Sequence, residues 1–178
     1  MIERLGARPL VAINTHFHYD GGPGGNAAFA EAGATVWASD HTATLIKDRA
    51  EKQRTDMTAL DKRFAHFTAA QPTRTFPAAK GLELQFFSET LEVKFPGAAH
   101  APDNVVVWFP ARKLLVGGCA VVAMPKFGNL ADSDLKSWPA ALEVMRAFKP
   151  DTVVPGHAEP GDAKLLDHTL KLVNAQKK

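Results

Sequence analysis

The first chemical signal in the sequence is a run of metal-ligand side chains at alternating positions. His16, His18 and Asp20 stand two residues apart and directly follow the apolar residues 9–14. In an extended segment, side chains two residues apart point the same way, so both imidazoles can close on one metal ion. The carboxylate can then reach a second metal beside the first. Because the glycine-rich residues 21–25 let backbone and solvent approach closely, we interpret the segment as a metal-binding loop and not as an incidental polar loop.

Three further candidate ligands stand on loops in the second half of the chain. His100 lies on a turn of small residues between two predicted strands, whereas Cys119 and His157 each follow a short apolar strand. A rigid scaffold usually displays its chemistry on such loops. Imidazole, thiolate and carboxylate are the ligands that zinc prefers, so the six side chains together predict a zinc site. The alternative gives each one a separate structural role, which requires four segments to coincide by chance.

The elements that must position these side chains alternate between strands and helices. Hydrophobic patterning predicts strands at residues 9–14, 34–38, 82–86, 91–95, 105–109, 114–116 and 152–154, and helices at residues 26–32, 132–148 and 162–174. Mixed strands and helices with loops at strand ends predict a layered α/β sandwich.

A charged stretch at about residues 40–67 is predicted to be helical with a break, capped by Ser39 or Asp40. We interpret it as an exposed helical insertion with no catalytic part, and name it the helical insertion. The length of 178 residues suits one domain, so residues 1–178 are expected to form a single domain that carries this insertion.

Composition narrows the class of partner. The formal charge of +2 and the absence of a long basic run argue against nucleic acid as the main partner. No stretch approaches the roughly 18 apolar residues of a membrane span. The single cysteine excludes an internal disulfide, and the opening residues contain no apolar signal region. We expect neither nucleic acid nor a membrane as a partner, and we expect a monomer.

Four segments carry a resemblance to a known family. THFHYDG, GAAHAPDNVVVWFP, KLLVGGCAV and VVPGHAEPGD resemble, in the family order, the motifs of the cysteine-containing di-zinc subclass of class B β-lactamases. The helical insertion and the glycine pair after Asp20 are most similar to the São Paulo type of that subclass. The resemblance implies a metallo-β-lactamase αββα sandwich, although only one predicted strand precedes His16 where family members carry several.

The same resemblance implies an activity and a set of ligands. It implies a periplasmic enzyme that hydrolyses β-lactams, carbapenems included, with metal-bound hydroxide that Asp20 orients. It also implies two zinc ions per chain, the first held by His16, His18 and His100 and the second by Asp20, Cys119 and His157.

Four positions bear on how closely the chain follows the family pattern. Gly21 stands where most superfamily hydrolases have a metal-binding histidine, and Cys119 supplies the replacement ligand. Val122 stands where the subclass often has a lysine that pairs with the substrate carboxylate, so Lys126 is our substitute candidate. Asn129 resembles the family asparagine near the lactam carbonyl. An ordinary solvated lysine and a turn asparagine are the alternative readings of the last two.

Two other functions remain open from the sequence. One is another hydrolase of the same superfamily, acting on a thioester, a lactone or a phosphodiester; Gly21 and Cys119 argue against it. The other is a zinc-binding, truncated member with weak or no catalysis, which the short stretch before His16 favours.

Overall fold

The computed structural model describes residues 9–176, which divide between Phe76 and Pro77 into two compact units. Each unit contains one β-sheet and its own helices, in agreement with the predicted mixture of strands and helices. The opening residues, where the sequence has no apolar signal region, lie outside the described part. The expectation of a single domain over residues 1–178 stays a prediction.

The first unit is built on a three-stranded parallel sheet in the order β1-β2-β3. Its strands are β1 (Val11–Ile13), β2 (Thr35–Ser39) and β3 (Arg74–Phe76). A short helix, α1 (Asn26–Glu31), lies in the crossover between β1 and β2. The His16 segment therefore directly follows the carboxyl end of strand β1.

Helix α2 (Asp40–Leu60) accounts for most of the helical insertion. Its N-cap is Ser39, whose Oγ accepts a hydrogen bond from the backbone N–H of Thr42 at 2.9 Å. Asp61 interrupts the helix and caps a 3-10 helix at Lys62–His66, so the predicted helical stretch with a break is confirmed. Within residues 9–176, neither α2 nor any other helix combines the length and the apolar character that crossing a membrane requires.

The second unit is built on a five-stranded sheet in the order β4-β5-β6-β7-β8. Neighbouring strands from β4 to β7 are antiparallel, whereas β8 runs parallel to β7. The strands are β4 (Leu82–Phe86), β5 (Glu89–Lys94), β6 (Val106–Phe109), β7 (Leu114–Gly118) and β8 (Thr152–Pro155).

Two helices, α3 (Trp138–Ala147) and α4 (Lys164–Ala175), contribute buried side chains to the core of the second unit. Buried side chains from these helices and from strands β6 to β8 form one continuous hydrophobic cluster. Its members include Val106, Leu115, Trp138, Leu142, Met145, Val153, Leu166 and Val173.

Helix α3 begins later than the sequence pattern predicts. The predicted start is residue 132, but the first helical residue is Trp138. The carboxylate of Asp134 accepts hydrogen bonds from the backbone N–H groups of Lys136 and Ser137, at 3.0 and 2.9 Å. Its backbone carbonyl accepts from the N–H of Trp138. Asp134 thus holds residues 135–137 as a turn ahead of the helix.

Asp134 makes the stability of the second unit depend on pH. Hydrogen bonds from the side chain and the backbone of Ser137 lower the pKa of Asp134 below its ordinary value of 3.8. A carboxyl group with a lowered pKa stabilises the fold above its unfolded pKa, and that contribution is lost as pH falls through the folded value. We expect Asp134→Ala to lower the melting temperature at neutral pH.

The difference between Asp134→Ala and the parent chain should shrink as the buffer is acidified below pH 3.8. Circular dichroism melts across a pH series measure it, with the exposed Asp48→Ala as the matched control. A difference that persists unchanged into strong acid would contradict this account of the α3 start.

Candidate metal centre

The His16 segment forms a closed loop at the end of β1, here called the histidine loop (residues 15–25). The backbone N–H of Thr15 donates to the carbonyl of Gly21 at 2.8 Å, and the N–H of Gly21 donates to the carbonyl of His18 at 2.8 Å. These bonds enclose one 3-10 turn at Tyr19–Gly21 within the segment that the sequence predicts to be irregular. The chain therefore folds back within seven residues.

This closure brings together the three side chains that the sequence pairs as ligands. One ligand atom from each of His16, His18 and Asp20 lies within 4.8 Å of the others. His16 Nε2 is 3.8 Å from a carboxylate oxygen of Asp20, and the two imidazole centroids are 4.9 Å apart. The His16 ring is fully buried, whereas the Asp20 side chain is exposed. A metal ion at this loop would therefore meet solvent on the carboxylate side.

Thr15 lies beside the Nδ1 atom of His16. Its hydroxyl donates to the carbonyl oxygen of Gly21 at 3.3 Å, and its Oγ1 lies 3.1 Å from His16 Nδ1. In the tautomer that carries its proton on Nδ1, Oγ1 accepts that proton while the hydroxyl donates to Gly21. The lone pair then resides on Nε2, which faces the Asp20 carboxylate. Two acceptors face each other here, an arrangement that fits a bound cation.

Gly21 matters for a steric reason that the sequence does not reveal. A Cβ atom at this position would lie 2.3 Å from His16 Nδ1 and 2.7 Å from the His16 carbonyl oxygen. Any side chain would therefore displace the His16 ring. A histidine side chain at position 21 would have no room in this loop.

Strand pairing in the second unit brings Cys119 and His157 together. Strands β7 and β8 are parallel, with Gly118 paired to Pro155, so the residues that follow both strands emerge at the same edge of the sheet. Cys119 Sγ lies 3.6 Å from His157 Nε2. A Cβ atom at Gly156 would lie 2.5 Å from that sulfur, so only glycine permits the approach.

His100 also lies near the thiol within the second unit. One of its ring nitrogens lies within 4.8 Å of Cys119 Sγ. Its backbone carbonyl accepts a hydrogen bond from Ser133 Oγ at 3.0 Å. The buried amide of Asn104 holds the same turn by accepting from the N–H of Ala101 at 2.7 Å. One sulfur and two imidazoles are thus presented together, a donor set that fits zinc.

The predicted substrate residues lie on the loop that follows Cys119. Lys126 and Asn129 are both exposed there. The Oδ1 atom of Asn129 accepts from the backbone N–H of Ala131 at 2.9 Å, so this side chain also shapes a turn. Val122, where the resemblance leads us to expect a lysine, is partly buried and packs against the hydrophobic cluster.

Sequence reasoning missed Thr169, which anchors this loop to α4. Its Oγ1 accepts from the backbone N–H of Val122 at 2.9 Å, and the residue is fully buried. His168 adds a contact between its Nε2 and the Met124 carbonyl oxygen at 2.8 Å. The available signal was a polar residue on the apolar stripe of α4, next to Leu166 and Val173.

Comparison with known proteins identifies relatives of the chain. A family model described as the metallo-beta-lactamase superfamily matches residues 2–157. The metallo-beta-lactamase type 2 of Bacteroides fragilis is 39% identical over 88 residues, covering 47% of this chain and 35% of that protein. The Bacillus cereus protein of the same name is 40% identical over 94 residues, covering 51% and 37%. The chain thus spans about a third of the length of these curated relatives.

Solved structures extend the similarity to nearly all of the chain. A metallo-beta-lactamase from Pontibacter korlensis has a TM-score of 0.72 and 37% identity, over 93% of this chain and 69% of that one. The DIM-1 metallo-beta-lactamase, in a crystal exposed to ceftazidime, has a TM-score of 0.76 and 26% identity, over 98% and 71%. These similarities confirm the predicted fold class.

The packing around Gly21 gives a direct test of the histidine loop. We expect Gly21→Ala to cost about 1–3 kcal/mol of unfolding free energy, because the new methyl group must push His16 out of place. We also expect weaker zinc binding, measured by competition with a chromophoric chelator. Gly128→Ala is the matched control, since a Cβ atom there meets nothing within 4 Å. Parent-like stability and zinc affinity in Gly21→Ala would refute the steric role.

Proposed function

This chain belongs to the metallo-beta-lactamase superfamily, and we propose on that premise that it is a zinc-dependent β-lactamase. The reaction is hydrolysis of the β-lactam amide bond. The observation that carries the proposal is the grouping of His16, His18 and Asp20 ligand atoms within 4.8 Å on one closed loop. The thiol of Cys119, 3.6 Å from an imidazole nitrogen of His157, is the second support.

We propose that these side chains bind two zinc ions per chain. The nitrogen, oxygen and sulfur donors are those that zinc takes in proteins. The assignment follows the motifs of the family: His16, His18 and His100 for the first ion, and Asp20, Cys119 and His157 for the second.

When bound, zinc lowers the pKa of water to about 7 and polarises carbonyl oxygens as a Lewis acid. The chain supplies orientation around that chemistry. Asp20 accepts a hydrogen bond from the attacking water and so holds it toward the lactam carbon. Asn129 directs its amide N–H groups to the lactam carbonyl oxygen, because its own oxygen is engaged by the Ala131 N–H. Lys126 pairs with the substrate carboxylate.

The family resemblance guides the finer assignments. We propose a substrate range that includes carbapenems, a contribution to antibiotic resistance, and action as a monomer in the periplasm. The helical insertion and the Gly21-Gly22 pair support placement near the São Paulo type of the cysteine-containing subclass.

Metal removal tests the proposed reaction. We expect EDTA to abolish hydrolysis of nitrocefin, a chromogenic cephalosporin, and added zinc to restore it, because the proposed reaction depends on activation of water by the metal. Absorbance of the opened product measures turnover, and an EDTA-treated sample returned to zinc is the control. Turnover insensitive to EDTA would contradict the mechanism.

Two other outcomes would redirect the assignment. Hydrolysis of a thioester, lactone or phosphodiester without nitrocefin turnover would favour another hydrolase of the superfamily. Tight zinc binding without turnover of any of these substrates would favour a metal-binding protein without catalysis.

Substitution of Cys119 tests whether its thiol binds the second zinc ion. We expect Cys119→Ala to reduce bound zinc from two ions towards one per chain, because the second ion loses its thiolate ligand. Metal analysis of the dialysed protein measures this ratio. The exposed His41→Ala, which removes an imidazole outside the four motifs, is the matched control and should retain both ions. Two zinc ions in Cys119→Ala would remove Cys119 from the set of ligands.

A further inference from the structure

We propose that the helical insertion positions the histidine loop for metal binding, through Gln53, Phe64 and Phe67. The inference rests on the proposed function, because it assumes that the loop binds metal. It replaces the sequence-based view of the insertion as an exposed segment with no part in the chemistry.

Gln53 is the first point of contact. It is only 9% exposed, although most of the other side chains of α2 are exposed. Its Nε2 donates to the backbone carbonyl of Phe17 at 2.9 Å. Phe17 stands between His16 and His18 and is itself 3% exposed. A buried amide from α2 thus fixes the backbone between the two candidate imidazole ligands.

Tyr19 is the second point of contact. Its ring packs edge-on against Phe64, at 5.0 Å and 83°, and against Phe67, at 4.9 Å and 73°. Such T-shaped pairs are a favourable aromatic geometry. Asp61 caps the 3-10 helix that carries Phe64, and this cap holds the backbone from which Phe64 contacts Tyr19. Tyr19 stands between the candidate ligands His18 and Asp20.

The two contacts divide the loop by alternate residues. The candidate ligands occupy the even positions 16, 18 and 20, while the insertion holds the odd positions 17 and 19. The backbone bends through residues 16–18 and then enters the 3-10 turn. The insertion therefore contacts the loop between the candidate ligands and not at their metal-binding atoms. This is the arrangement of an outer shell that orients ligands before the metal arrives.

Zinc affinity of the full chain is the measurement that tests the inference. Gln53→Met keeps the bulk of the side chain but removes the donor to Phe17. Phe64→Ala with Phe67→Ala removes both ring contacts to Tyr19. We expect each variant to raise the zinc dissociation constant about tenfold or more, the usual cost of losing outer-shell partners.

Matched controls come from the β4–β5 hairpin. Gln85→Met removes an exposed glutamine-to-carbonyl hydrogen bond, at 3.1 Å to Phe87, together with the bond that Gln85 accepts from Thr90. Phe87→Ala removes a T-shaped ring contact of the same kind, at 4.9 Å to Phe86. Both controls should bind zinc as the parent does. Phe64→Tyr with Phe67→Tyr keeps both rings and should also bind as the parent does.

The outcomes separate positioning from mere structural support. A higher zinc dissociation constant in Gln53→Met, with the parent's far-ultraviolet circular dichroism and melting temperature in the metal-free state, would support positioning. Parent-like zinc affinity in Gln53→Met and in the double alanine variant would overturn it. An affinity loss that appears only where the metal-free protein unfolds would also overturn it. A parent chain that binds no zinc would overturn the proposed function itself, and this inference with it.

Discussion

The complete burial of the His16 imidazole is the constraint on which the rest of the first unit depends. A buried ring cannot exchange hydrogen bonds with solvent, so both of its nitrogens must be engaged inside the protein. Thr15 engages Nδ1 and the Asp20 carboxylate faces Nε2, while Gly21 leaves the space that the ring occupies. The short backbone loop that closes at Gly21 follows from this arrangement, since a wider loop would take Asp20 away from the ring.

Glycine has a comparable role in the second unit. There the approach of a sulfur to an imidazole depends on Gly156, where a methyl group would overlap Cys119. In both units a candidate ligand is held by the absence of a neighbouring side chain as much as by a hydrogen bond. Close packing of this kind fixes a side chain without requiring a charged partner that would compete for the metal.

The sequence allowed some of these features to be predicted, for identifiable reasons. The candidate ligand residues have distinctive chemistry and spacing, and the charged stretch after Ser39 has a clear helix start, so the sequence pointed to both. The start of α3 could not be predicted from the sequence. The helical spacing of apolar residues extends upstream of Trp138, through residues that Asp134 holds in a turn. The part played by Gln53 was hidden as well. A glutamine among charged residues looks solvated until its long-range partner, Phe17, is known.

The parallel pairing of β7 with β8 has a consequence for how the second unit folds. Parallel neighbours cannot be joined by a tight turn, so the chain must complete a crossover that includes α3 before β8 can add to the sheet. Cys119 and His157 are 38 residues apart, and closing a loop of that length costs entropy that only later packing recovers. During synthesis the thiol is therefore made well before its imidazole neighbour arrives. Capture of a metal by this pair would mark a late stage in the maturation of the chain.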